Sequence, residues 1–357
     1  MRIVVDINHP AHVHLFKNFI WKMKNRGHNI RLTATDKDVT LQLLDNLGFD
    51  HVTIRPYGKS LLKMILTLPF VEIDVWKKIH GFKPDLFLSH GSIRASHVAF
   101  FQRKPSIVID DDEYSFPYYF PFVSHVIGLS GFKKFGRKIN NINSFKELAY
   151  LHPKYFKPDF SILKKYGIKE DERFVLLRFV SLNAFHDIGI KGFSDEQKIK
   201  LVTLLEKHIK VYIISEKVIS DKIKKNELNI PPELLHHFLY YSQLLICDSQ
   251  TMTTEGAILG TPVVRCNSFV GKNDMGNFIE LEQKYGLIFN YSDPDKAIDK
   301  AIELIHVNNL KEQWHVKRDK MLIDKIDLTA FMIWFVENYP SNIDEMKEHP
   351  EIQYKFR

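Results

Sequence analysis

The residues best suited to bind a phosphorylated ligand lie in the stretch 244–265, which reads LLICDSQTMTTEGAILGTPVVR. An apolar run ends at Cys247 and Asp248, small hydroxylated residues follow, and a helical segment ends at Gly260-Thr261-Pro262 before a second apolar run. This order is typical of strand, loop, helix and strand in a parallel sheet, where free N–H groups and the positive helix end face the ligand. The pattern fits a phosphate site, but this stretch taken alone favours the alternative of an ordinary capped helix, because Ser and Thr are common at helix starts.

Side-chain oxygens add to the binding capacity of this stretch. Hydroxyl groups that can cap the helix and donate to a ligand belong to Ser249, Thr251, Thr253 and Thr254. Glu255 lies one turn into the helix, where its carboxylate can accept hydrogen bonds from two sugar hydroxyls at once. Phosphate and sugar hydroxyls are therefore the expected ligand groups.

Further polar residues follow other strand-like runs, at the carboxyl ends where parallel sheets bind ligands. These residues are His9, His12, His14, Ser89, His90, Ser92, Asp110, Asp111, Asp112, Glu113, Ser181, Asn183, His186, Asp187 and Glu216. Two facing sheets would bring them into one cleft. His186 and Asp187 fit a base with its orienting acid, and equally fit loop residues bonded to the backbone.

The elements that must position these residues alternate between strand and helix. Apolar, β-branched runs predict strands at 2–7, 29–34, 51–54, 86–88 and 105–110. A proline-containing segment at 151–159 interrupts the alternation. It restarts with strands predicted at 173–180, 211–215, 244–246 and 263–264. The alternation predicts an α/β fold with two parallel, doubly wound sheets.

The interruption also sets the predicted domain boundaries. They are 1–155 for an N-terminal domain, 156–326 for a C-terminal domain, 327–340 for a helix packing back toward the N-terminal domain, and 341–357 for a loosely held tail.

Composition restricts the classes of protein to consider. The 357 residues carry a net charge of +7, which predicts an anionic partner: nucleic acid, a membrane surface or a phosphorylated small molecule. Two cysteines without paired spacing predict a cytoplasmic protein. No GxxxxGKS or GxxxxGKT loop, GxGxxG fingerprint, HExxH or paired CxxC occurs in the sequence, which excludes the enzymes that carry them. The amphipathic segment 61–79 is expected to pack on the sheet, with anionic lipid as the alternative contact.

Four segments resemble the family catalogued as domain of unknown function 354. They are DINHPAHVHLFKN, ELAYLHPKYF, LRFVSLNAFHDIGIKG and DSQTMTTEGAILGTPVVRCNSFVGKNDMGNF. That family is similar to GT-B fold enzymes, among them inverting nucleotide-sugar glycosyltransferases and non-hydrolysing UDP-N-acetylglucosamine 2-epimerases. The resemblance implies two facing Rossmann-like domains, the GT-B fold, with a deep interdomain cleft. It also implies that domain 1–155 is the acceptor side and domain 156–326 the nucleotide-sugar side.

The resemblance also implies roles for single residues. In the glucosaminyltransferase of the lipid-linked cell-wall precursor, a Gly-Gly-His loop follows the first strand and a glycine ends the next helix; Ala11, His12 and Gly27 keep this spacing. His12 is therefore the implied catalytic base. Pro10 and Ala11 stand where that enzyme has its two glycines. Glu255 resembles the glutamate that GT-B enzymes place on the ribose hydroxyls.

We therefore expect an inverting, metal-independent glycosyltransferase of surface or envelope glycan assembly, without a cofactor and with a UDP-linked donor. The implied catalytic residues are His12, His186 and Asp187. The implied donor site is Arg178, Ser181, Asn183, Glu216, Ser249, Thr251, Met252, Thr253, Thr254, Glu255, Lys272, Asn273 and Asp274. The implied acceptor site is His9, His14, Ser89, His90, Ser92, Asp111 and Glu113. The aspartates at 110–112 could hold Mg²⁺, but a GT-B-like first domain stabilises charge without a metal.

Two alternative functions remain open, and the sequence also suggests an acceptor and a membrane contact. A nucleotide-sugar 2-epimerase needs an acid and a base, for which Asp111, Glu113, His186 and Glu216 are candidates. A nucleic-acid-binding protein is disfavoured because the aromatic residues are dispersed at core-like positions. The expected acceptor is a glycan or a lipid-linked saccharide, and basic residues could hold the enzyme at the inner face of the membrane. These are Lys63, Lys133, Lys134 and Arg137.

Overall fold

The computed structural model describes residues 1–58, 61–180, 192–215, 218–271 and 274–357. Several predicted site residues lie outside the described residues: Ser181, Asn183, His186, Asp187, Glu216, Lys272 and Asn273. The chain forms two compact units, of which the first combines Met1–Tyr155 with Asp324–Arg357 and the second is Phe156–Ile323.

The strands within the described residues are β1 (Arg2–Ile7), β2 (Asn29–Thr35), β3 (His51–Ile54), β4 (Leu86–His90), β5 (Ser106–Asp110), β6 (His125–Gly128), β7 (Ile139–Asn141), β8 (Phe174–Phe179), β9 (Lys210–Ser215), β10 (Leu244–Cys247), β11 (Val263–Cys266) and β12 (Ile288–Tyr291). The α-helices are α1 (Pro10–Asn25), α2 (Thr40–Asn46), α3 (Leu61–Ile79), α4 (Ile93–Phe101), α5 (Phe116–Tyr119), α6 (Leu148–Leu151), α7 (Phe160–Lys165), α8 (Asp195–Leu205), α9 (Leu235–Tyr241), α10 (Gln250–Leu259), α11 (Gly276–Ile279), α12 (Pro294–Ile305), α13 (Leu310–Asp324), α14 (Leu328–Glu337) and α15 (Asn342–Glu348).

Each unit is built on one parallel sheet. The strand order is β3-β2-β1-β4-β5-β6-β7 in the first unit and β12-β11-β10-β8-β9 in the second. The order reverses between β1 and β4, and again between β8 and β10, and such switch points are where open α/β sheets bind ligands. The predicted α/β class with two parallel sheets is confirmed, and the loops after these four strands become the places to look for a site.

Strands β4, β5 and β10 are buried at every position because helices cover both faces of each sheet, which is why their sequences are mostly apolar. Strands β6 and β7 were not predicted. They contain only four and three residues, and their sequences HVIG and INN have neither alternation nor a long apolar run. Pairing with β5 makes them strands, and this pairing is a tertiary effect.

The C-terminal segment differs from the expected loose tail. Asn342 and Met346 of α15 are buried, as is Gln353, in the 3₁₀ helix that follows. The Gln353 carboxamide accepts a hydrogen bond from the backbone N–H of Asn143 at 2.7 Å. The expectation of a loose tail was wrong because the side chains of Asn342, Met346 and Gln353 anchor this polar segment to the rest of the first unit.

A buried ion pair fixes the switch point of the first sheet. Asp6 at the end of β1 accepts from the Arg94 guanidinium at 2.8 Å, and both side chains are essentially inaccessible to solvent. The hydroxyl groups of Thr33 and Ser92 also donate to Asp6, at 2.6 and 2.7 Å. These contacts join β1 to β2 and to the start of α4 through one carboxylate.

We expect Arg94→Met to lower the free energy of unfolding by about 3–5 kcal/mol, because it leaves a buried carboxylate without its cation. Urea denaturation measures the change. The matched control is Arg94→Met with Asp6→Leu, which removes both charges and should recover much of the loss. A loss below about 1 kcal/mol for the single variant would contradict a structural role for this pair.

Candidate functional site

The loop after β1 places two histidines at the start of α1. His9 is the N-cap residue, and its ring accepts a hydrogen bond from the N–H of Ala11 at 3.2 Å. His12 lies in the first turn, where its Nδ1 accepts from the N–H of Asn8 at 3.3 Å. Because the β1 neighbour β4 ends at His90, the His12 and His90 rings approach to 4.8 Å between centroids. The predicted histidines His9, His12 and His90 are thus brought together.

A chain of polar contacts continues from His90 along the edge of the sheet. Its Nε2 lies 3.1 Å from Asp111 Oδ1, and Asp111 Oδ2 lies 2.9 Å from Lys146 Nζ. Asp111 follows β5, and Lys146 follows the short strand β7. Sequence reasoning missed Lys146, and recognising β7 would have placed it at this edge. We call His12, His90, Asp111 and Lys146 the edge cluster.

The two histidines of the edge cluster have pKa values shifted in opposite directions. Burial lowers the pKa of His12 well below 6.5, and the charges of His90 and His9 lower it further. Burial also lowers the pKa of His90, but the hydrogen bond and charge of Asp111 outweigh burial and raise it. Burial raises the pKa of Asp111, but the charge of Lys146 and the His90 hydrogen bond hold it below its usual range. At neutral pH His12 is therefore an uncharged ring able to accept a proton.

The raised pKa of His90 predicts a pH-dependent contribution to stability. A group whose pKa is higher in the folded than in the unfolded state stabilises the fold below its unfolded pKa of about 6.5, and this stabilisation is lost as pH rises through the folded value. We expect the stability difference between wild type and His90→Gln to shrink in urea denaturation as the pH rises from about 6.5 through the raised pKa of His90. In an Asp111→Asn background, the stability difference between His90 and His90→Gln should not change with pH over this range. An equal pH dependence there would contradict the role of the His90–Asp111 pair.

The other predicted residues of the first unit have different surroundings. Ser92 caps α4 and donates to Asp6, so its hydroxyl is engaged in the fold. Ser89 is buried in β4. His14 stacks on Tyr150 with ring centroids 5.2 Å apart. Glu113, in a left-handed backbone conformation, accepts from the N–H of Lys133 and lies near Lys134. His14 and Glu113 therefore contact groups outside the edge cluster.

A metal ion is one further possibility at this edge. His90, Asp110 and Asp111 each offer a ligand atom within 4.8 Å of the others. Lys146 already supplies a positive charge to Asp111, and the Tyr119 hydroxyl donates to Asp110. The contacts of these carboxylates are thus met by protein groups, and the absence of a metal from the reaction stays a prediction.

In the second unit, the loop after β10 leads into α10 as the sequence predicted. Ser249 is the N-cap residue and accepts from the N–H of Met252 at 3.3 Å, while the Thr253 hydroxyl donates to the Ser249 carbonyl at 2.7 Å. Thr251 lies half-buried in the first turn, and Gly260 ends the helix in the left-handed conformation. The first turn thus presents backbone N–H groups at the switch point beside β8.

Glu255 lies within α10 and is buried together with His236 of α9. The His236 Nε2 is 2.9 Å from Glu255 Oε1, which holds the carboxylate in one orientation. Sequence reasoning missed His236, because nothing in the spacing of α9 marks a histidine that contacts the next helix. Gly256 allows α10 to pack tightly, since a Cβ there would lie 2.6 Å from Val263 of β11.

Three further predicted donor residues are placed by the structure. Arg178 lies half-buried in β8 and pairs in register with Cys247. The Thr254 hydroxyl accepts from the Asn277 side chain at 3.4 Å. Asp274 is buried and forms an ion pair with Arg265 at 2.8 Å, so its carboxylate supports the loop before α11. Of these, Thr254 shares α10 with Glu255, and Arg178 lies on the strand next to β10.

None of the helices within the described residues has the length and apolar character needed to cross a membrane.

Solved structures similar to this chain share its fold. S. aureus MnaA in complex with UDP matches with a TM-score of 0.68 at 15% identity, over 96% of this chain and 98% of that one. The UDP-GlcNAc 2-epimerase from Neisseria meningitidis bound to UDP-GlcNAc matches with a TM-score of 0.62 at 15% identity, over 93% of this chain and 98% of that one. The spinosyn rhamnosyltransferase SpnG with thymidine diphosphate matches with a TM-score of 0.60 at 11% identity, over 93% of this chain and 99% of that one. The predicted GT-B fold is confirmed.

Sequence comparison adds a relative and a family. The uncharacterized protein MJ0665 of Methanocaldococcus jannaschii is 25% identical over 94% of this chain and 97% of its own length. The model of the family described as "Protein of unknown function (DUF354)" matches residues 1–339. The chain therefore belongs to the DUF354 family.

Proposed function

We propose that this chain is an inverting glycosyltransferase that uses a nucleotide sugar and acts on a glycan or a lipid-linked saccharide in surface or envelope glycan assembly, at the inner face of the membrane. The observation that carries the proposal is the position of His12 at the switch point of the first sheet, 4.8 Å from His90 between ring centroids. Support also comes from fold neighbours that bind UDP, UDP-GlcNAc or thymidine diphosphate by their own descriptions.

In the proposed donor site, the first turn of α10 binds the diphosphate and Glu255 binds the ribose hydroxyls. The N–H groups of the first helical turn favour an anion, and a carboxylate fixed by His236 accepts from two hydroxyls without reorienting. Arg178 on the neighbouring strand adds positive charge for the leaving diphosphate.

In the proposed reaction, His12 accepts the proton of the acceptor hydroxyl. The lone pair of its neutral ring lies on Nδ1, because that atom accepts from the N–H of Asn8. The acceptor hydroxyl must replace this 3.3 Å hydrogen bond at Nδ1 when the proton is transferred. The acceptor oxygen then bonds to the anomeric carbon, the bond from that carbon to the phosphate oxygen breaks, and the nucleoside diphosphate leaves with the electron pair.

A 2-epimerase is the second candidate function. Asp110 favours it, because burial and the charge of Asp112 raise the pKa of this carboxyl toward the range of an acid–base catalyst. Asp111 is disfavoured as the acid of this reaction, because its ion pair with Lys146 holds it as a carboxylate.

Calorimetric titration with UDP, GDP and their N-acetylhexosamine conjugates, with and without Mg²⁺, tests the donor site. We expect metal-independent binding of one nucleotide. Incubation with the conjugate alone then separates the candidates, because an epimerase converts it without an acceptor whereas a transferase needs one. Failure of every nucleotide to bind would leave the fold without the proposed function.

A further inference from the structure

Helix α3 carries apolar side chains on two opposite faces. Val71, Val75 and Ile79 are buried against β4 and α4. A second apolar face is 43% to 61% exposed and consists of Ile65, Leu66, Phe70, Ile73 and Trp76. At about 100° per residue these five positions fall within one arc of the helix. A helix that is apolar on both sides is typical of one that is covered on both sides.

The exposed surface continues onto the end of α4. Phe100 and Phe101 are 52% and 71% exposed, and Arg103 and Lys104 follow them. These four residues line a depression of about 570 Å³, together with Phe122. A second cavity of about 300 Å³ is apolar in its lining and joins Phe122 to Ile65 and Met64 of α3. We call the exposed apolar residues of α3 with Phe100 and Phe101 the α3–α4 face.

The charges around the α3–α4 face are positive. Lys63 and Lys77 are exposed at the two ends of its α3 stripe, and Arg103 and Lys104 are exposed beside the phenylalanines. The two carboxylates of α3 are engaged in ion pairs. Glu72 Oε1 lies 2.6 Å from His97 Nδ1, and Asp74 Oδ2 lies 3.2 Å from Lys78 Nζ. The face therefore combines an apolar surface with a cationic border.

This charge pattern argues against a second copy of the chain as the partner. In a two-fold pairing of α3 with an antiparallel copy, Lys63 of one helix would oppose Lys77 of the other. Like charges at such a contact are unfavourable. An anionic partner with an apolar interior satisfies both the cations and the exposed side chains.

We propose that the α3–α4 face docks onto membranes that contain anionic phospholipid. The helix lies in the interface, Phe70, Ile73 and Trp76 enter the boundary of the acyl chains, and Lys77 and Lys104 contact lipid phosphates. This contact is peripheral and lies at the surface of the bilayer. It holds whichever reaction the enzyme catalyses.

Sedimentation of the full chain with vesicles tests the proposal. The vesicles are phosphatidylcholine alone or phosphatidylcholine mixed with phosphatidylglycerol. We expect binding to the mixed vesicles that weakens with added salt, and at least about tenfold weaker binding for Phe70→Glu with Ile73→Glu. The matched control is Val316→Glu with Ile323→Glu, which makes the same change at two exposed positions of α13 and should leave binding unchanged.

A second variant guards against loss of folding. Lys77→Glu with Lys104→Glu changes only exposed charges and should weaken binding to the mixed vesicles while leaving the thermal unfolding temperature unchanged. Three results would overturn the proposal: no binding to either vesicle, equal loss in the α13 control, or a lipid-free dimer that Phe70→Glu with Ile73→Glu dissociates. Sedimentation velocity detects the last.

Discussion

Replacement of His12 by alanine is expected to lower kcat by about 10²–10⁴-fold while nucleotide affinity stays unchanged, because general-base help acts on the reacting acceptor and not on the donor. The surroundings of His12 in the edge cluster explain why the expected loss of kcat is large. A neutral ring next to the charged His90–Asp111–Lys146 chain is ready to accept a proton at physiological pH. The rate is measured at saturating donor and acceptor, and the affinity by calorimetry.

The pH profile gives a second readout for the same residue. The base works in its neutral form, and its pKa is lowered, so the acid limb of the kcat profile should fall below about pH 6.5. His51→Ala is the matched control, since this histidine begins β3 at the opposite, amino edge of the sheet and should leave kcat unchanged. An unchanged kcat in His12→Ala, or an acid limb above neutral pH, would remove His12 from the mechanism.

The second large effect is expected at Glu255. Hydrogen bonds to a charged acceptor contribute about 1.5–3 kcal/mol each, so losing two of them in Glu255→Ala should weaken nucleotide binding by at least about 100-fold. The substitution also removes the contact with His236 at 2.9 Å, so some loss of stability accompanies it. Titration with the nucleotide that the wild type binds measures the first effect, and urea denaturation the second.

Two control variants separate these effects. His236→Leu removes the same buried contact but keeps the carboxylate, and should lose stability with a smaller loss of affinity than Glu255→Ala. Glu255→Gln keeps the shape and removes the charge, and should fall between wild type and Glu255→Ala in affinity. If His236→Leu weakens binding as much as Glu255→Ala does, the effect of Glu255 is on the fold of α10 and not on the ligand.

The parts of the site that local patterns specify could be predicted. Ser249 and Gly260 begin and end α10 because capping depends on neighbouring residues only. His12 and His90 could be expected to meet because the carboxyl ends of adjacent parallel strands share an edge. The first inference needs only neighbouring residues, and the second also needs the pairing of β1 with β4.

The remaining contacts depend on packing between distant parts of the chain. Lys146 reaches Asp111 from across β6 and β7, two strands too short to recognise. Arg94 and His236 look like ordinary polar residues in short helices, and their partners Asp6 and Glu255 lie 88 and 19 residues away. The two apolar faces of α3 were predicted as one packing face, because a sequence does not show which apolar side chains find a neighbour.

The first unit is assembled from two segments that lie far apart in the sequence, since residues 324–357 pack with residues 1–155. A ribosome releases residues 1–155 first, but the contacts of α14 and α15 and the Gln353 contact with Asn143 can form only after residues 324–357 have been synthesised. The contiguous second unit, 156–323, has no such dependence. During synthesis we therefore expect the middle of the chain to reach its native form before the beginning does, in contrast to the usual N-terminal-first order.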